Sequence, residues 1–127
     1  MIKVAISGSR SITDVEWVVK NLINVFDYQF EEPVFLLLGD ASGVDTIAYN
    51  WGYTNQYDMI VLKPANKYYH SLYYQGTGKL LYLARDKQLV DNCDCLVAIW
   101  DGISKGTKFT IDYAKKLNKR VIIVDYP

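Results

Sequence analysis

Histidine occurs once in this 127-residue chain and cysteine twice, at Cys93 and Cys95. Two cysteines separated by one residue do not make a framework disulfide, and a lone C-x-C with one histidine is poor zinc chemistry, so no metal site is expected. An excess of either charge is also missing, with 14 basic residues against 14 acidic ones. Phosphate contacts along a nucleic acid need clustered Lys and Arg, so this balance argues against nucleic acid as a partner. It leaves room for one bound nucleotide, which needs only a local site. No apolar run approaches the roughly 20 residues of a membrane span, and an apolar strand begins almost at residue 1. The expectation is a cytoplasmic protein with no signal peptide and no membrane partner. Neither G-x-G-x-x-G nor G-x-x-x-x-G-K-[ST] occurs, which removes the dinucleotide and Walker readings and leaves no cofactor implied. Repeats, linkers and low-complexity tails are absent too, so residues 1–127 are expected to form a single domain.

What the chain does have is alternation. Five apolar runs, at residues 4–6, 34–38, 59–62, 96–100 and 121–124, are separated by four amphipathic stretches. The second, Val34-Phe35-Leu36-Leu37-Leu38, is apolar on both faces, as a buried parallel strand is. Such a pattern predicts an α/β fold, a doubly wound parallel five-stranded sheet in the order 3-2-1-4-5 with helices on both faces. Thr13 and Glu16 stand at capping-box spacing before a first helix with Val15, Val18, Val19, Leu22 and Phe26 on one face. Ser42 and Asp45 repeat the spacing before a second helix carrying Val44, Ile47, Ala48 and Trp51. A third helix is expected over residues 79–92, and a fourth with Thr107, Ile111, Ala114 and Leu117 turned inward.

Ligands in doubly wound sheets bind beyond the carboxyl ends of the strands, at the point where strand order reverses. Three loops at that edge carry small and polar residues: Ser7 to Ser11, Gly39 to Gly43, and Asp101 to Thr107. Of the eight glycines, seven fall at this edge or in the Tyr-rich segment of residues 64–78, a placement that suggests backbone crowding against something bound. The first loop runs from strand through Gly8 and Ser9 into a helix, so unpaired amides face the edge and favour an anion. Arg10 adds a planar fork of donors. Arg85 and Asp86, near the start of the third helix, lie beside the same crevice, either as an internal ion pair or as ligand contacts. Asp45 and Asp101 are edge carboxylates suited either to capping and turns or to an acid/base pair for glycosidic-bond cleavage. The tyrosines at 68, 69, 73 and 74 suit base stacking, loop anchoring or a dimer face, and His70 reads as solvated.

Taken in order, Gly8-Ser9-Arg10, Gly39-x-Ala41-x-Gly43-Val44-Asp45, Arg85, Asp94 and Asp101-Gly102-x-Ser104-x-Gly106-Thr107 give the sequence a family likeness. It resembles the SLOG superfamily, which includes the DNA-processing A proteins, the LOG phosphoribohydrolases and a small YspA-like bacterial and phage branch, with that branch matching best. The resemblance implies a Rossmann-like domain with a nucleotide-type pocket. The chain departs from the branch at Asp40, where a second Gly is usual, and at Asp86, where Asn is usual. Two departures from the LOG enzymes weigh against their hydrolysis: Thr110 at the glutamate position and Ser104-Lys105 in place of a double Gly. The resulting expectation is a protein that binds a nucleotide or nucleotide-derived small molecule and works as a homodimer. Gly8, Ser9, Gly43, Gly106 and Thr107 would hold phosphate, Arg10 and Arg85 would neutralise it, and Gly39, Asp40, Ala41, Ser42, Gly102 and Ser104 would complete the rim. A phosphoribohydrolase using Arg85, Asp45 and Asp101, and a DNA-binding relative of the DNA-processing A proteins, are the alternatives.

Overall fold

In the computed structural model, which describes residues 1–64 and 78–127, nine elements alternate along the chain. They are β1 (Ile2–Gly8), α1 (Val15–Gln29), β2 (Val34–Leu38), α2 (Val44–Thr54), β3 (Asp58–Val61), α3 (Gly78–Asp91), β4 (Cys95–Trp100), α4 (Lys105–Lys116) and β5 (Arg120–Asp125). The five strands form one sheet in the order β3-β2-β1-β4-β5, every neighbour parallel. This is the doubly wound order that the alternation predicts. β1 lies at its centre, with Val4 opposite both Leu36 and Cys95.

Because the central strands are apolar on both faces, the sheet has two cores. Val18, Leu22 and Phe26 of α1 and Ile47, Ala48 and Trp51 of α2 close one face over Val4, Ile6, Leu36 and Val97. Phe26 meets Trp51 edge-on at 5.0 Å between ring centroids. On the other face, Leu89 and Val90 of α3 and Ile111 and Ala114 of α4 cover Ala5, Leu37, Leu96 and Ala98. Cys93, just past α3, and Cys95, in β4, are free thiols buried in these two cores. No helix among the described residues is long and apolar enough to cross a membrane.

Several local expectations shift. The cap of α1 is Asp14 rather than Thr13, because the Asp14 carboxylate accepts the Trp17 amide. Its buried stripe is the narrower Val18–Leu22–Phe26 row, so Val15 is left 56% exposed. At α2 the N-cap is Gly43, with no side-chain cap, since Asp45 turns back to accept the Ala41 amide at 3.0 Å. β3 starts one residue early, at Asp58, paired with Phe35. Leu117 ends α4 as its C-cap and stays 39% exposed, while Thr110 joins Thr107, Ile111 and Ala114 on the buried face. The tyrosines at 68, 69, 73 and 74, His70 and Gly76 lie outside the described residues.

Candidate functional site: a crevice at the carboxyl edge of the sheet

The loops after β1, β2 and β4 meet above the sheet, and Ser9 ties them. Its amide donates to the Ile99 carbonyl at 3.1 Å, its carbonyl accepts from Ile12 and Val44, and its hydroxyl accepts the Asp101 amide at 3.2 Å. With so many partners Ser9 is only 1% exposed, a joint of the loops rather than a wall of the crevice. The glycines serve the same closeness. A β-carbon on Gly8 would come within 2.6 Å of the Ile99 carbonyl oxygen. Gly43, at φ +74°, would put one 2.4 Å from the Arg10 carbonyl oxygen. At Gly39 the clash would be with Asp45 Oδ2 at 2.6 Å and Arg85 Cζ at 2.7 Å. At these three positions the crowding inferred from the sequence comes from the protein's own atoms. Gly106 differs, because a β-carbon there would meet nothing within 4 Å.

Between the loops and α3 lies a crevice of about 600 Å³, walled by β1, α3, the start of α2 and the N-terminus of α4. From the sequence-derived set it gathers Gly8, Arg10, Ala41, Asp45, Arg85, Asp101, Ser104, Gly106 and Thr107. Gly39 and Asp40 instead border a second hollow, which shares Ala41 and Asp45 with the first. Ser9, Ser42, Gly43 and Gly102 line neither. Tyr82 and Ile103, not singled out from the sequence, also line the main crevice. Tyr82 stands three residues before Arg85, one helical turn away, which is the spacing that could have revealed it.

The electrostatics divide the crevice. On the β1 and α4 side, Arg10 is exposed and its guanidinium lies 4.4 Å from the centre of the Tyr82 ring. No carboxylate among the described residues pairs with it. Ser7 is 7% exposed, lines the crevice, and its hydroxyl has no partner among the described residues. Ser104 caps α4 by accepting the Thr107 amide, which leaves the Lys105 and Gly106 amides as first-turn donors. Asp101 is held in the preceding turn. Its carboxylate accepts the Ile103 and Ser104 amides at 2.9 and 2.7 Å and the Ser11 hydroxyl at 2.8 Å, which pulls its pKa down to about 2.

On the α2 and α3 side, Arg85 is 4% exposed and surrounded by acid. Its Nη1 lies 2.8 Å from Asp40, its Nε 2.9 Å from Asp86, and its Nη2 4.0 Å from Asp45. Nη1 also donates to the Leu62 carbonyl at 3.2 Å. Of the two readings open in the sequence, the internal ion pair is therefore present. Arg85 also approaches the Tyr82 ring, at 5.5 Å, so both guanidiniums converge on one side chain. Burial raises the pKa of Asp45 to about 6, against the opposing pull of the Ala41 amide and Arg85. Burial likewise raises that of Asp86. The two edge carboxylates are thus set far apart: Asp101 is firmly ionised, and Asp45 exchanges its proton near neutral pH.

No protein-family model matches the sequence, and comparison with curated proteins finds no match. Among solved structures, DNA processing protein A from Streptococcus pneumoniae superposes with a TM-score of 0.72 at 19% identity. The match covers 97% of this chain and 50% of that one. DNA processing protein A from Helicobacter pylori, whose structure describes a single-stranded DNA binding mode, gives 0.68 at 20% identity over 96% of this chain and 64% of its own. This chain thus spans between half and two-thirds of the length of these neighbours. The likeness shows a shared Rossmann-like fold, the one the SLOG resemblance implies. It also corrects the expectation drawn from net charge. A neighbour with this fold binds single-stranded DNA, so balanced charge does not set nucleic acid aside. A sum over the whole chain is blind to where Arg10 and the α4 amides are placed.

Proposed function

We propose that the chain binds single-stranded nucleic acid, seating a backbone phosphate at the carboxyl edge between the Ser7–Arg10 loop and the N-terminus of α4. The observation that carries this reading is the convergence on one crevice of a guanidinium and a buried hydroxyl without partners among the described residues, and of the first-turn amide of Gly106. Each is a donor, and together they suit an anion better than any single helix end does. The Tyr82 ring beside Arg10 adds an aromatic surface of the kind that single strands use for stacking. The single-stranded DNA binding of the Helicobacter pylori neighbour, which shares the fold, supports the choice of ligand. Placement in the YspA-like branch of the SLOG superfamily belongs to the same proposal and rests on the order of the loop motifs.

The test is fluorescence anisotropy with a labelled single strand of about 12 nucleotides carrying all four bases, within the site sizes single-strand binders use. Saturable binding at about 50 mM salt should weaken steeply by about 200 mM as phosphate counterions are released. Arg10→Ala should lower the low-salt affinity and reduce the salt slope by about one phosphate contact. No binding at low salt would overturn the reading.

A second reading, a free nucleotide, is favoured by the crevice volume of about 600 Å³, which lies in the range of single-ligand pockets. A mononucleotide panel in a thermal-shift assay separates the two. A nucleotide at about 100 times its dissociation constant should add roughly 2.7 kcal/mol of stability.

A further inference from the structure

The donors described above occupy only one side of the crevice; the other side is a wall of acceptors. Around Arg85, one positive charge faces three carboxylates, Asp40, Asp45 and Asp86. Arg85 gives Nε to Asp86 and Nη1 to Asp40 and the Leu62 carbonyl, and its Nη2 stands 4.0 Å from Asp45, so its charge is already balanced by carboxylates. Asp45 is 5% exposed, lines the crevice, and uses only Oδ2 in a hydrogen bond, to the Ala41 amide. Its Oδ1 has no hydrogen-bond donor among the described residues. A buried carboxylate oxygen without a donor is costly, and the group that satisfies it must bring hydrogens rather than lone pairs. Ser7, buried across the same crevice and without a hydroxyl partner among the described residues, independently marks the space as one completed by a ligand.

Ionised carboxylates only accept hydrogen bonds. Among the nucleobases, guanine alone presents two adjacent N–H donors, N1–H and the N2 amino group, on its Watson–Crick edge. Adenine and cytosine set a single amino donor beside a ring-nitrogen acceptor, and thymine flanks its one N–H with two carbonyls. Against an acidic wall those acceptors repel. We infer that Asp45, backed by Asp86, selects a guanine base, whose phosphate faces the Arg10 and α4 side. The inference rests on the nucleic-acid reading for its strand, but the guanine chemistry is the same in a strand or in a free nucleotide.

The experiment compares three alternating oligonucleotides of about 12 nucleotides, (TG)6, (TA)6 and (TI)6, in which hypoxanthine lacks only the N2 amino group, with dGMP and dAMP as free-nucleotide arms. At pH 7.5, (TG)6 should bind about tenfold tighter than (TA)6, with (TI)6 between them. In Asp45→Asn, which keeps the shape but loses the charge and one acceptor, the ratio of (TG)6 to (TA)6 should fall towards one. The groups facing Asp45 are Arg85 and Asp86 from α3 and Asp40 and the Ala41 amide from the β2–α2 loop. Burial raises the pKa of Asp45 to about 6, so the wild-type preference should shrink between pH 7.5 and pH 5.5 and show no such change in the variant. Equal binding of all three strands, or a preference that survives Asp45→Asn, overturns the inference while leaving strand binding intact. Binding of dGMP over dAMP with no strand binding overturns the nucleic-acid reading and keeps the guanine one. No binding in any arm overturns both.

Discussion

Replacing Asp45 by Asn should make the protein more stable at neutral pH, although it deletes one partner of a buried arginine. Asp45 approaches Arg85 only to 4.0 Å, beyond hydrogen-bond reach, while Asp40 and Asp86 hold the same guanidinium at 2.8 and 2.9 Å. Burial therefore outweighs attraction, and the pKa rises from 3.8 to about 6. The folded protein holds this proton more tightly than the unfolded chain does. Stability from this group is therefore full below about pH 4, falls as pH rises towards 6, and stays low above. A shift of roughly two units, at about 1.4 kcal/mol per unit, puts the neutral-pH penalty at no more than about 3 kcal/mol. Asn resembles the protonated acid and keeps a carbonyl for the Ala41 amide, so it should recover about 1–3 kcal/mol at pH 7.5 and almost nothing at pH 4. Urea denaturation of both proteins at the two pH values gives the difference directly, and subtraction cancels the other titrating groups. A variant less stable than the wild type at pH 7.5 would show that Arg85 stabilises the Asp45 carboxylate more than burial penalises it.

Three further outcomes follow from the same edge. Gly43→Ala should destabilise by about 2 kcal/mol or more, because the new β-carbon meets the Arg10 carbonyl at a backbone angle that disfavours side chains; thermal unfolding reads this. Gly106→Ala meets open space in the first turn of α4, so it should gain up to about 1 kcal/mol of stability while weakening oligonucleotide binding. Unchanged binding in that variant would place the phosphate elsewhere. Asp101 has its pKa lowered to about 2, so its contribution to stability is present above about pH 4 and lost as pH falls through 2. Asp101→Ala should accordingly lower the melting temperature at pH 7 and make little difference near pH 2.

The sheet was legible because its signal is local: runs such as Val34 to Leu38 and Leu96 to Trp100 are apolar on both faces, and only a covered parallel sheet buries them. The crevice's position followed from topology together with the small residues of three loops. The purpose of those residues did not. A glycine that admits a ligand and one that admits a neighbouring carbonyl read alike, and Gly8, Gly39 and Gly43 proved to be of the second kind. The Arg85 cluster joins residues 45 positions apart, from Asp40 to Arg85, and no spacing rule spans that distance. Capping differed by one residue: a Thr13 cap would take the Glu16 amide, whereas the helix begins at Val15 and Asp14 accepts the Trp17 amide. Net charge misled because it is a sum, whereas recognition depends on which side of a crevice each sign occupies.

The sealed thiols have a practical consequence. Cys93 and Cys95 are 1% and 0% exposed, and burial pushes the Cys93 pKa up to about 11, so neither presents a thiolate to reagents in the native state. One cysteine engineered at exposed Ile103, on the lip of the crevice, would react alone with a maleimide dye or spin label. The wild-type background is already a clean host for such a reporter, and no cysteine needs to be removed from the core to use it.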